Sequence, residues 1–113
     1  MIRHVLESEN IYHHIIRNRG GLNDYKSPLT SNPYTTVDDE LKHAQPYREK
    51  FLKMVHSLSL KELDEVYITR KEKGQHRKLG DYLLRVAYHE AVHTGQLLDY
   101  LRTLKAPRAD IWD

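Results

Sequence analysis

His89-Glu90-Ala91-Val92-His93 places two imidazoles four residues apart inside a stretch whose apolar spacing reads as one long amphipathic helix. Residues at that spacing share a helix face, one turn apart. The helix is expected to start near Gly80 or Asp81 and to run to Lys105, where Ala106-Pro107 closes it. Tyr82, Val86, His89, His93, Gln96, Tyr100 and Leu104 form its seam, with Leu83 and Leu97 on the same side, so both rings are expected to face a bundle interior. A buried polar ring needs a partner. Neutral imidazole is the commonest protein metal ligand, and an i, i+4 pair offers two nitrogens without distorting the helix. The competing reading is a pair of core histidines hydrogen-bonded to backbone or to tyrosines.

Two further helices flank this one. Ile2, Val5, Leu6, Ile11, Tyr12, Ile15 and Ile16 keep a helical period from Ile2 to about Arg19, where the Gly20-Gly21 pair stops it. Residues 20–37 are rich in Gly, Asn, Ser, Thr and Pro and read as a long loop. A second helix follows from Asp38-Asp39 through Leu41, Ala44, Tyr47, Phe51, Met54, Val55 and Leu58, with Pro46 predicting a kink or a late start. Ser59-Leu60-Lys61-Glu62 has capping-box spacing and opens a short helical turn ending near Val66. Tyr67-Ile68-Thr69 favours β structure, but with the basic run Arg70 to Lys78 it reads as a solvated connector. Glu72 interrupts that run and no aromatic platform accompanies it, so a phosphate-contacting role is disfavoured.

Composition bounds the chemistry. The chain has 113 residues, 39% hydrophobic and 30% charged, with a formal net charge of +2, which fits one soluble globular domain over residues 1–113. Nothing in that balance calls for nucleic acid or membrane as a partner. Cysteine is absent, which excludes disulfide scaffolds, thiolate zinc sites and cysteine nucleophiles. The N-terminal stretch lacks the apolar core of a signal peptide and no later run approaches membrane-spanning length, so a cytoplasmic location is expected.

Histidine is abundant instead, with 8 residues at positions 4, 13, 14, 43, 56, 76, 89 and 93. Two imidazoles hold a divalent ion weakly, so a third ligand is required. From periodicity His4 leads: it heads the row His4, Ser8, Ile11, Ile15 that borders the apolar face of the first helix, whereas His13 and His14 do not share that row. A terminal surface histidine is the alternative reading of His4.

His-Glu-x-x-His is also the zincin protease motif, in which Glu90 would activate water. The downstream sequence disfavours it. The acids after His93 are Asp99, Asp110 and Asp113, and the position where a metzincin turns on glycine is Gln96, inside the helix. Gln96, one turn beyond His93, is placed to orient a ligand or to serve as a structural amide. Gly95 is unfavourable in a helix interior, and a close helix approach is expected there.

The stretch Tyr88-His89-Glu90-Ala91-Val92-His93-Thr94-Gly95-Gln96-Leu97-Leu98-Asp99-Tyr100-Leu101-Arg102 resembles the last-helix signature of the DinB/YfiT-like superfamily, and Arg3-His4-Val5-Leu6-Glu7-Ser8-Glu9 is similar to the segment bearing that family's first ligand. In that family a histidine at the start of the second helix joins two from the last helix to bind one metal in a four-helix bundle. The resemblance therefore implies an all-α DinB/YfiT-like helical bundle with His4, His89 and His93 as metal ligands. It also implies a bundle without the family's first helix, because His4 stands three residues after Met1; either the member is shortened or a partner subunit covers the exposed face.

Members with assigned activity are similar to S-transferases that use bacillithiol or mycothiol, and others are known only as metal-binding proteins. The resemblance thus implies an intracellular, homodimeric, metal-dependent S-transferase joining a low-molecular-weight thiol to an electrophile, in a detoxifying or stress-response role. The alternative is a non-enzymatic metal-binding or structural bundle. Three neutral imidazoles leave coordination positions open, where a thiol would lose its proton. Without cysteine in the chain, that thiol must be a cosubstrate. Imidazole suits several divalent ions, with zinc or nickel expected first and iron next. No catalytic residue beyond the ligands is assigned.

Overall fold

Apolar residues at helical spacing and a helix stop at glycine define the first element, α1 (Ile2–Arg17), in the computed structural model, which describes residues 1–111. The helix ends two residues before the sequence expectation. Arg19 and Gly20 take positive φ, 56° and 123°, and the Gly20 amide closes on the Ile15 carbonyl at 2.8 Å. Glycine is required here for two reasons: that φ disfavours a side chain, and a Cβ would collide with the Thr69 carbonyl.

Residues 18–36 run back along α1. The Asn10 amide donates to the Tyr25 hydroxyl at 3.3 Å, the Ser27 hydroxyl donates to Glu7, and Leu29 is buried. This return explains the loop's length, because it lets α2 (Val37–Ser57) start beside the start of α1 and run parallel to it. Pairs at successive heights record that direction: Arg3 with Glu40, Arg48 with Glu9, and His13 against Phe51. Thr36 caps α2 by accepting from the Asp39 amide at 3.1 Å, and Asp38, Asp39 and Glu40 favour its N-terminal dipole. Of the two expectations at Pro46, a kink or a late start, the late start does not hold: the helix begins at Val37 and Pro46 lies inside it. Pro46 and Lys42, whose carbonyl loses its donor, are both exposed, so water meets the deficit.

The capping box forms as expected: Ser59 accepts from the Glu62 amide at 3.1 Å and Glu62 accepts from the Ser59 amide at 2.7 Å, opening α3 (Leu60–Glu65). The segment read as a connector is a hairpin. β1 (Tyr67–Arg70) pairs antiparallel with β2 (Gln75–Lys78), Tyr67 opposite Lys78, around a short 3-10 turn closed by left-handed Gly74. Ile68 is the reason: it is fully buried, and one apolar anchor fixes a strand's register. α4 (Leu79–Thr103) follows directly. The expectation of an all-helical chain is therefore modified by this small sheet within a helical bundle.

The core joins Ile15 and Ile16 of α1, Phe51 of α2, Ile68 of β1 and Leu79, Tyr82 and Val86 of α4. It occupies the end of α4 nearest its start. Farther along, the seam opens: Tyr100 and Leu104 are 55% and 75% exposed, and nothing lies within 4 Å of a Cβ built on Gly95. Two expectations are thereby corrected, since the interior packing of Tyr100 and Leu104 and the close approach at Gly95 do not occur within this chain. No described helix is long and apolar enough to cross a membrane.

Gly20→Ala is expected to cost about 2–3 kcal/mol, the scale of one strained backbone position, and the chain should show a lower urea midpoint with an unchanged slope.

Candidate metal centre

His4 and the pair on α4 meet because α1 lies antiparallel on α4. Tyr12 fixes the register, standing edge-on to Tyr82 at 5.8 Å and to His89 at 5.9 Å between ring centroids. Two turns nearer the start of α1, His4 then faces His89 and His93. The structure brings all three sequence-selected residues together: His4 Nε2 is 3.1 Å from His89 Nε2, which is 3.2 Å from His93 Nε2. Among the described residues this is the one group of three or more His, Asp or Glu side chains whose ligand atoms lie within 4.8 Å of one another.

The setting is more open than the sequence implied. His89 and His93 are half-buried and His4 is exposed, so the cluster stands at a solvent-facing edge and not in the packed interior.

Hydrogen-bond arithmetic bears on what the cluster holds. One ring nitrogen carries either a hydrogen or a lone pair, so His89 Nε2 satisfies one neighbour at most when two Nε2 atoms face it. His93 Nδ1 lies 2.8 Å from Gln96 Oε1 and donates to it, which leaves the lone pair on Nε2. His89 Nδ1 is buried without a partner. Burial pushes the His89 pKa below its ordinary value, and the facing His93 and His4 push it the same way, so the neutral ring is favoured. Three convergent imidazoles with no thiol or carboxylate fit a borderline divalent cation, which would take one ring nitrogen from each.

The first turn of α1 is held in place from α2. Arg3 Nε donates to Glu40 Oε2 at 2.9 Å, a second bond joins its terminal nitrogen to Oε1, and Glu40 is 1% exposed. The Arg3 guanidinium holds the Glu40 carboxyl below the usual range. This fork beside His4 escaped the sequence reading, because nothing local reveals which acid meets Arg3 across 37 positions.

Glu90 does not serve the imidazoles as a zincin base. It turns to the other side of α4, into a shallow recess with Glu9, Arg48, Phe51 and Val86. Asp99 and Asp110 also stay out of the cluster, and Asp113 lies outside the described residues. The remaining histidines go elsewhere: His76 stacks on Tyr67 at 4.6 Å, His43 and His56 are exposed on α2, and His13 and His14 line a separate groove.

Glu9 is the second residue the sequence reading missed. Its position seven residues before Ile16 on the buried stripe of α1 was the available signal, since an acid there needs a partner. Burial raises its pKa to about 7, its hydrogen bond with Glu90 adds to the rise, and Arg48 opposes it. Between the unfolded value of 4.5 and about 7 the folded chain retains a proton that the unfolded chain has lost, so this group's contribution declines as pH rises through that window. Glu9→Gln is expected to gain stability relative to the parent at pH 8 over pH 5, measured by denaturant titration; an offset that does not change with pH would contradict the assignment.

No curated protein and no solved structure matches the chain. A family model does: that of the DinB superfamily, over residues 1–97, a span that holds α1, the hairpin and all three clustered histidines. The chain belongs to the DinB superfamily.

Proposed function

We propose that the chain is a metal-dependent S-transferase in which His4, His89 and His93 hold a divalent cation, zinc or nickel in first place, and a low-molecular-weight thiol is joined to an electrophile. The observation that carries the reading is the convergence of three Nε2 atoms on one solvent-facing point, in a member of the DinB superfamily. The open side matters as much as the ligands, because a cosubstrate must reach the ion.

When bound, such a cation supplies Lewis acidity that lowers the pKa of a nearby thiol. The chain's own residues supply placement. Arg3 and Glu40 set the height of His4, and Gln96 fixes the ring of His93. Beside His93 an apolar recess of about 130 Å³, lined by Met1, Ile2, Val5, Leu6 and Leu97, has the dimensions of a single-ring apolar group. An electrophile seated there presents its reactive carbon next to the imidazole cluster. A carbon–sulfur bond forms, the thiol proton passes to solvent, and the leaving group departs as its anion, so the sum balances without an oxidant.

Elemental analysis of the purified protein, followed by thiol consumption in the presence of an aromatic halide, tests the reading. The parent is expected to carry about one equivalent of metal, and His89→Ala to lose both metal and thiol consumption. Gln96→Leu is expected to weaken metal binding by about 10- to 100-fold while keeping the fold. Full metal occupancy in His89→Ala would reject the site. Metal without thiol consumption would assign a binding role in place of a transferase.

Arg3→Met combined with Glu40→Gln, so that no buried carboxylate is left unpaired, should weaken metal binding with little change in the core, because it frees the first turn of α1 but touches none of the residues packed around Tyr82. The measurement is competition with a chromogenic chelator, set beside the thermal midpoint of the metal-free protein.

A further inference from the structure

On the face of α1 turned away from the imidazole cluster, the helix, the returning loop and α2 enclose an open groove of about 560 Å³. His13, His14 and Arg17 come from α1, Lys26 and Tyr25 from the loop, and Lys50 from α2. Asp24 is the one acid on its walls. Among the described residues Arg17, Lys26 and Lys50 form no ion pair with a carboxylate, and Lys50 Nζ lies 5.6 Å from the centroid of the Tyr47 ring. Like charges held together without a counterion repel, and bound anions relieve that repulsion.

Two ring-bearing residues line the same groove. His13 Nε2 is buried without a hydrogen-bond partner, its ring edge-on to Phe51 at 6.4 Å. Tyr25, hydrogen-bonded by Asn10 and edge-on to His14 at 5.3 Å, presents an aromatic wall. Lone inorganic anions would leave most of this volume to water, whereas organic ligands of modest size fill grooves on this scale. The three cations and the rings that line the groove together suit a planar or ring-bearing anion of at least two charges.

We propose that this groove binds a small organic dianion, its charged groups met by Arg17, Lys26 and Lys50 and its ring lying against Tyr25 and His14. It is a site distinct from the imidazole cluster: His13 stands nine residues beyond His4 on α1, about 13 Å along the helix axis. Phosphate monoesters and dicarboxylates share the required chemistry. The site's occupancy does not depend on metal at the imidazoles.

Calorimetric titration at fixed ionic strength with phenyl phosphate, isophthalate and neutral benzyl alcohol tests this. At least one of the two dianions is expected to bind with a Kd of about 1 mM or below, and the alcohol not to bind. Phenyl phosphate alone would assign a phosphate ester, and comparable binding of both a general dianion site. The charge-reversed pair Arg17→Glu with Lys50→Glu, both exposed in the parent, should weaken binding by tenfold or more, and the milder Lys50→Gln guards against a folding defect. His4→Ala should leave the affinity unchanged. Failure of both dianions to bind, equal binding by the charge-reversed variant, or loss of binding in His4→Ala would each overturn the proposal. None of these results bears on whether metal binds His89.

Discussion

The register of α1 lying antiparallel on α4 is the constraint from which the rest follows. It rests on Tyr12, whose ring meets Tyr82 on one side and His89 on the other. A shift of one helical turn, about 5.4 Å, would carry His4 past its partners and part Glu9 from Glu90. The core at Ile15, Ile16, Tyr82 and Val86 holds that register from one end, and the Arg3–Glu40 fork ties the other end of α1 to α2. Between these anchors the helix has no freedom to slide, so the imidazoles meet by the geometry of the scaffold rather than by local adjustment.

Much of this was legible in the residues. The spacing of Ile2, Val5, Ile11 and Ile15 gave α1, and the Ser59–Glu62 box gave α3, because both are local patterns written within a few positions. His89 and His93 share a face for the same reason, and His4 was reached by its place on the edge of the α1 stripe. The hairpin was not legible, since its register depends on burying Ile68 under α1 and α4, a contact made only after the chain has folded back. The Arg3–Glu40 and Glu9–Arg48 pairs were hidden likewise: both cross between parallel helices whose alignment is set by the return loop.

The return loop shapes more than connectivity. Because residues 18–36 retrace α1, one side of that helix is covered by irregular chain, and the Tyr25 and Lys26 of that cover form one wall of the basic groove. The same folding back leaves the far side of α1 to α4. One helix thus presents two chemically unlike faces, neutral imidazole at the edge toward α4 and cationic side chains toward the loop. The open flank of α4, with Leu84 and Tyr88 each 70% exposed, is a third surface that the chain itself does not cover.

His4 and His89 are separated by 85 positions yet touch. An ion gripping both would act as a removable staple, closing a loop as long as most of the chain in a protein that has no sulfur to do so covalently. By loop-closure reasoning such a tether restricts the unfolded chain by about 4–5 kcal/mol, as much as a disulfide of equal span. The metal supply of its surroundings would then set not only what this protein can do but how long it survives.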